Sequence, residues 1–141
     1  MTIKEKQDEL IDTFSLFDEW TDKYEHIIQM GKDLPLIDAK YKTDDRLIRG
    51  CQSRVWLHAD WRDGKLYFTA DSDAVITKGL VSMVVDVLSG QTPAAIAAAD
   101  IYFIDAIGLR NHLSLTRSNG LLSMLKQIKA YALAYQAKEK Q

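Results

Sequence analysis

An α+β fold is expected, a single domain spanning residues 1–141 with helices packed on an antiparallel sheet, and three features predict it. Val55, Leu57, Ala59 and Trp61 alternate with Trp56, His58 and Asp60, a period of two that makes a strand with one face more apolar than the other. Arg62-Asp63-Gly64-Lys65 follows as a turn in which glycine accepts positive φ, and Leu66 to Thr69 supply the return strand. On both sides of this hairpin apolar residues recur at helical spacing, most densely between Ile76 and Leu88. A helix apolar on most sides belongs at the centre, covered by the sheet and by other helices.

The elements follow in order. Leu10, Phe14 and Phe17 recur among charged residues and predict an amphipathic helix from Ile3 to Phe17. Asp18 is placed to cap a second helix through Trp20, Tyr24, Ile27 and Ile28, stopped at Gly31 with Pro35 beyond, so that the two helices form a hairpin. From Asp33 to Arg49 the periodicity is weak and the charge mixed, which reads as a long connection with one turn of helix; such connections are uncommon in compact domains and often functional. After the strands, Asp71 or Ser72 is placed to cap the apolar helix, with Asp73 in its first turn near the positive end of the dipole. That helix holds Ile76, Leu80, Val84, Val87 and Leu88 and ends at Gly90. Thr92-Pro93 repeats the start signal for a short helix through Ala99. Ile101 to Leu115 is ambiguous, and Ser118 is placed to cap a terminal helix with Leu121, Leu125, Ile128, Ala132 and Tyr135 on one stripe.

A net charge of −2 with ordinary apolar and charged fractions predicts a soluble globule and makes nucleic acid an unexpected partner. One cysteine cannot form an internal disulfide, and the start Met1-Thr2-Ile3-Lys4 lacks the apolar segment of a secretory signal, so the cytoplasm is the expected compartment. No apolar run approaches the roughly 20 residues of a bilayer span. No phosphate-binding glycine signature, Cys-x-x-Cys pair or His-Glu-x-x-His helix is present, and no cofactor is expected.

The chemistry therefore concentrates on Arg49-Gly50-Cys51-Gln52-Ser53-Arg54, which holds the lone thiol between the long connection and the first strand. A thiol acts as a nucleophile through its thiolate, favoured by nearby positive charge such as Arg46, Arg49 and Arg54 carry. Gly50 removes a side chain beside the sulfur, so that a partner's backbone or a second sulfur can approach. Against this stands the buried, inert cysteine, which the polar neighbours Gln52 and Ser53 disfavour. A cysteine hydrolase would need His58 or His112 as base, and His58 lies about 20 Å along an extended strand. His26, among apolar neighbours, has no second metal ligand at suitable spacing. An iron–sulfur cluster needs several thiolates, so one exchangeable sulfur is what survives.

Trp20-Thr21-Asp22-Lys23-Tyr24, Leu34-Pro35, Gly50-Cys51-Gln52-Ser53 with Val55-Trp56, Asp71-Ser72-Asp73-Ala74, Lys78-Gly79-Leu80, Thr92-Pro93 and Arg117-Ser118-Asn119-Gly120-Leu121 occur in an order that resembles the SufE family of sulfur-acceptor proteins. The resemblance spans nearly the whole chain, and its most specific part is Gly-Cys-Gln-Ser followed by Val-Trp. It implies a fold shared with scaffold proteins of the IscU type, and Cys51 as acceptor and carrier of persulfide sulfur. It also implies a SufS-type, pyridoxal-phosphate cysteine desulfurase as the donor whose turnover is stimulated, and a SufBCD-type scaffold as recipient. Arg49, Gly50, Gln52, Ser53, Asp71, Asp73 and Arg117 become site supports or partner contacts by the same resemblance. A weak homodimer stays open beside the monomer. The competing readings are a binding-only adaptor of a desulfurase and a small cysteine hydrolase. The long connection before Cys51 further suggests a loop that shelters the thiol in the free protein and extends on docking.

Overall fold

The hairpin forms where the alternation places it. In the structure, a computed structural model describing residues 1–48 and 53–139 with the side chains of Leu115, Thr116 and Glu139 excepted, β1 (Val55–Arg62) and β2 (Lys65–Ser72) pair antiparallel. Asp63 and Gly64 take φ of 52° and 77°, the two left-handed residues that match the twist of a tight hairpin. The register puts Val55 opposite Ser72, Leu57 opposite Ala70, Ala59 opposite Phe68 and Trp61 opposite Leu66, so one face gathers the apolar side chains. Trp56, His58 and Asp60 share the other face with Asp71, Thr69 and Tyr67.

The inner face packs on α3 (Val75–Leu88), in which Gly79 to Val85, Val87 and Leu88 are buried. This is the expected central helix, and each fully buried Val or Leu contributes about 1.5–3 kcal/mol. Its far side is covered by α2 (Trp20–Lys32) and α1 (Ile3–Ser15), and α7 (Leu115–Glu139) also meets it. α4 (Pro93–Ala98) lies along α7, and α5 (Phe103–Ile107) and α6 (Leu109–His112) resolve the ambiguous stretch into two short helices around Gly108. One core runs from Ile3 to Ala132. No described helix is long and apolar enough to cross a membrane.

Several helix boundaries differ from expectation. α1 starts on a reciprocal capping box between Thr2 and Glu5. α2 starts after Glu19, with no side-chain cap from Asp18, and continues past Gly31 to Lys32. Gly31 faces Gly79 across the α2–α3 contact: a Cβ on Gly31 would lie 3.0 Å from the Gly79 nitrogen, and one on Gly79 would collide with the Ile27 carbonyl. α1 and α2 meet at their connection, where Phe14 and Phe17 flank the His26 ring; beyond it both pack on α3, and α1 also packs on α5. α4 is capped by Thr92 with Pro93 at its first position, as expected. α7 begins earlier than expected, its Arg117 N–H capped by the Ser114 hydroxyl, while Ser118 lies inside the helix. The stripe of Leu121, Leu125, Ile128 and Ala132 is buried, and Tyr135 packs against the core.

Candidate functional site around the Cys51 segment

Arg49, Gly50, Cys51 and Gln52 lie outside the described residues, and the structure defines the two limbs from which they extend. The incoming limb is fixed by the Ile48 N–H donating to the Val55 carbonyl at 2.8 Å and by an antiparallel bridge between Leu47 and Trp56. On the outgoing limb, Arg54 and Asp73 exchange two hydrogen bonds. The Arg54 N–H donates to the Asp73 carboxylate at 3.0 Å, and the Asp73 N–H donates to the Arg54 carbonyl at 3.3 Å. Asp73 precedes α3, whose N-cap is Ala74 without a side-chain cap, so the expected place of Asp73 in the first turn is corrected. Its carboxylate is engaged by the backbone beside Ser53, which bends between Cys51 and β1. A cleft of about 450 Å³ separates Asp45, Leu47 and Ile48 on the incoming limb from Ser123, Lys126, Gln127 and Ala130 of α7.

The long connection folds over the outer face of the hairpin as two single 3-10 turns, Ala39–Tyr41 and Asp44–Arg46. Before them, Pro35 and Ile37 hydrogen-bond to Ala70, and the chain continues across the sheet. Lys42 sits 5.0 Å above the Trp56 ring and 2.6 Å from the Asp71 carboxylate, whose other oxygen is 3.5 Å from Lys78 on α3. Asp71 therefore joins connection, strand and helix, and it does not cap α3. Burial pushes its carboxyl up, but the Lys42 hydrogen bond, the Ser72 N–H and the charges of Lys42 and Lys78 outweigh that and hold it below its ordinary value. Ser72 comes nearest to the expected cap, its hydroxyl accepting from the Ala74 N–H at 3.3 Å.

Of the two histidines weighed as a hydrolase base, His58 has its ring engaged by three neighbours. His58 stacks on Tyr41 at 3.8 Å, accepts from Arg46 Nε at Nδ1 over 3.1 Å, and meets Asp60 through Nε2 at 3.0 Å. Both ring nitrogens are occupied. His112 stacks on Trp20 at 3.7 Å, and its carbonyl accepts from the Tyr24 hydroxyl. Arg46, one of the three arginines expected to favour the thiolate, directs its guanidinium to His58 and Asp45. Arg54 is exposed, and so is Arg117; among the described residues no ion pair joins Arg117 to Asp71 or Asp73. No group of three or more metal-ligating side chains is present among the described residues.

This arrangement, one thiol carried between two anchored limbs, can be set beside known proteins. A family model described as "SufE: Fe-S metabolism associated domain" matches residues 8–132. The chain belongs to the SufE family. An uncharacterized SufE-like protein of Rhizobium meliloti is 42% identical over 130 residues, covering 89% of this chain and 93% of that protein. The sulfur acceptor protein CsdE of Escherichia coli is 36% identical over 121 residues, covering 84% and 82% of the two chains. The chloroplastic/mitochondrial SufE-like protein 1 of Arabidopsis thaliana is 37% identical over 134 residues, 94% of this chain but 36% of that longer one. A solution structure of a hypothetical protein from Thermus thermophilus superposes with a TM-score of 0.78 over 94% of this chain at 18% identity, which shows that the two share the α+β fold.

Sequence reading missed three contacts on the limbs and the connection: Lys42 on Trp56 and Asp71, Arg46 on His58, and the two-bond exchange of Arg54 with Asp73. The first two had one signal, the unusual length of the connection. The third had the Asp-Ser-Asp segment, which helix capping explained equally well.

Proposed function

We propose that this SufE-family chain is a sulfur acceptor of iron–sulfur metabolism, taking sulfane sulfur from a cysteine desulfurase onto Cys51. The observation that carries the reading is the family match over residues 8–132, together with 36% identity to a relative named a sulfur acceptor, in a chain with one thiol. The Cys51 thiolate attacks the outer sulfur of the donor's persulfide. One sulfur–sulfur bond forms, another breaks, and the donor cysteine leaves as thiolate, so no external oxidant is needed. In the finer reading the donor is a SufS-type enzyme whose turnover rises as its persulfide is cleared, and the recipient is a SufBCD-type scaffold. Carbon–sulfur cleavage then belongs to the donor's pyridoxal phosphate, and this chain needs no cofactor.

Within this reading Arg49, Gly50 and Gln52 shape access to the sulfur, Ser53 and Asp73 hold the outgoing limb, and Asp71 holds the connection. Arg117, exposed on α7, is assigned to partner contact. The anchors at Ile48–Val55 and Arg54–Asp73 confine any extension of the thiol toward a donor to the residues between them. Equal Cys51 alkylation rates in free and donor-bound protein would remove the sheltered-loop part.

The deciding experiment is intact-mass analysis after incubation with a SufS-type desulfurase and cysteine. One added sulfur, localised to Cys51 and released by a thiol reductant, is expected, and Cys51→Ser should neither gain sulfur nor stimulate the donor. Stimulation that survives Cys51→Ser would establish a binding-only adaptor instead.

A further inference from the structure

Beyond the Lys42 contacts with Trp56 and Asp71, the connection that delivers the chain to Cys51 is tied to the outer face of β1 by a second set of side chains. Arg46 makes polar contacts with Thr43, Asp45 and His58. Two of these belong to its own turn, so the bond to His58 Nδ1 is the described polar contact that joins the Arg46 side chain to the sheet. The His58 ring lies flat on Tyr41, 9° from parallel, and the Arg46 guanidinium covers the same tyrosine at 4.6 Å. The imidazole is largely buried, with 13% of the side chain exposed.

A guanidinium only donates, so Nδ1 must present its lone pair, and the ring proton sits on Nε2, where it donates to Asp60. The interaction therefore requires neutral His58 in one tautomer. A second proton would enter at Nδ1 and set two donors, both on cations, 3.1 Å apart. The bond to Asp60 would remain. The other groups facing the ring are Tyr41 and Asp45 from the connection, Thr69 directly opposite on β2, and diagonally Tyr67, covered by Arg62, and Asp71, paired with Lys42 and Lys78. None of them supplies Arg46 with an alternative acceptor on the sheet among the described contacts.

We propose that His58 is a positioning residue: through Arg46 its neutral ring holds the incoming limb of the Cys51 segment on β1, and its protonation releases that limb. Arg46 then falls back on Asp45 and Thr43, and the limb keeps the backbone contacts of Leu47 and Ile48, the burial of Ile48 in the core and the upstream Lys42 contacts with Trp56 and Asp71. The importance of this for sulfur acceptance rests on the function proposed for Cys51, whereas the test does not.

The test is amide hydrogen exchange of the full chain at about pH 7.5 and 5.5, corrected for the intrinsic pH dependence of exchange. Protection at Arg46, Leu47 and Ile48 should fall about tenfold in acid relative to Phe68 in β2, the size expected for losing a hydrogen bond to a charged group. His58→Asn, which keeps an acceptor near the Nδ1 position and cannot charge, should hold protection constant. His58→Phe, which keeps the stack and removes the acceptor, should be poorly protected at both values. A step of equal size in His58→Asn, or no step in the unaltered protein, overturns the proposal. Nitrogen chemical shifts of the His58 ring give a measurement that needs no variant: a proton on Nδ1 at pH about 7.5 would overturn it as well.

Discussion

Asp71, Ser72 and Asp73 are residue types that cap helices, and the two acids bind other groups: Asp71 two lysines, Asp73 the backbone of Arg54. The ion pairs of Asp71 give a pH dependence with a definite sign. Lys42 and Lys78 depress its carboxyl below the ordinary 3.8, so its contribution is complete above that value and is lost as pH falls through the folded-state value. Asp71→Asn should therefore be less stable than the unaltered protein near pH 7, and urea denaturation should show the gap closing as the pH falls below 3.8. A gap unchanged across that range would mean that shape, not charge, is what Asp71 provides. The apolar residues of β1 and β2 were legible because burial follows a period of two that local spacing fixes. The partners of Asp71 were not, since Lys42 lies across the connection and Lys78 a helix turn inside α3.

Between elements, α2 and α3 approach closely through two glycines. Gly79 has no room for a side chain because the Ile27 carbonyl occupies the space, and Gly31 meets the same backbone from the other side. Gly79→Ala must push the two helices apart and should cost about 3 kcal/mol in denaturant unfolding. Gly64 provides the contrast: it has open space around it but a φ of 77°, so Gly64→Ala should cost about 1 kcal/mol from backbone strain alone. Comparable losses for the two would show that α2 and α3 can move apart freely. In the sequence Gly31 has the position of a helix stop and Gly79 that of a weak point in a helix. Only the pairing of the two in space reveals that both serve contact.

Across the whole molecule, α1 is stitched to the α4–α5 connection by one buried side chain. Gln7, 1% exposed, donates to the Asp100 carbonyl at 3.0 Å and accepts from the N–H groups of Tyr102 and Phe103 at 2.9 and 3.2 Å. Gln7→Leu preserves bulk and strands three backbone groups, so a loss of about 2–4 kcal/mol is expected. Hydrogen exchange should rise first at Tyr102 and Phe103; uniform acceleration across the core would argue against a local stitch. Nothing near Gln7 in the sequence points to this role. Helical spacing sets it on the buried stripe with Ile3, Leu10 and Phe14, but its partners are more than ninety residues away.

The sequence by itself determined the α+β class, the hairpin and its turn, the apolar faces of α1, α3 and α7, and the single thiol on which the proposed chemistry depends. These are properties of neighbours along the chain: periodicity, turn residues and residue type act within a few positions and need no knowledge of the rest. The tertiary structure decided where the long connection lies, that Asp73 fastens the outgoing limb, that His58 is held between Arg46 and Asp60, and that two glycines mark a helix contact. Those outcomes depend on which distant groups are brought within hydrogen-bonding or van der Waals range. Such distances are set by the packing of all the elements together, and no local pattern encodes them.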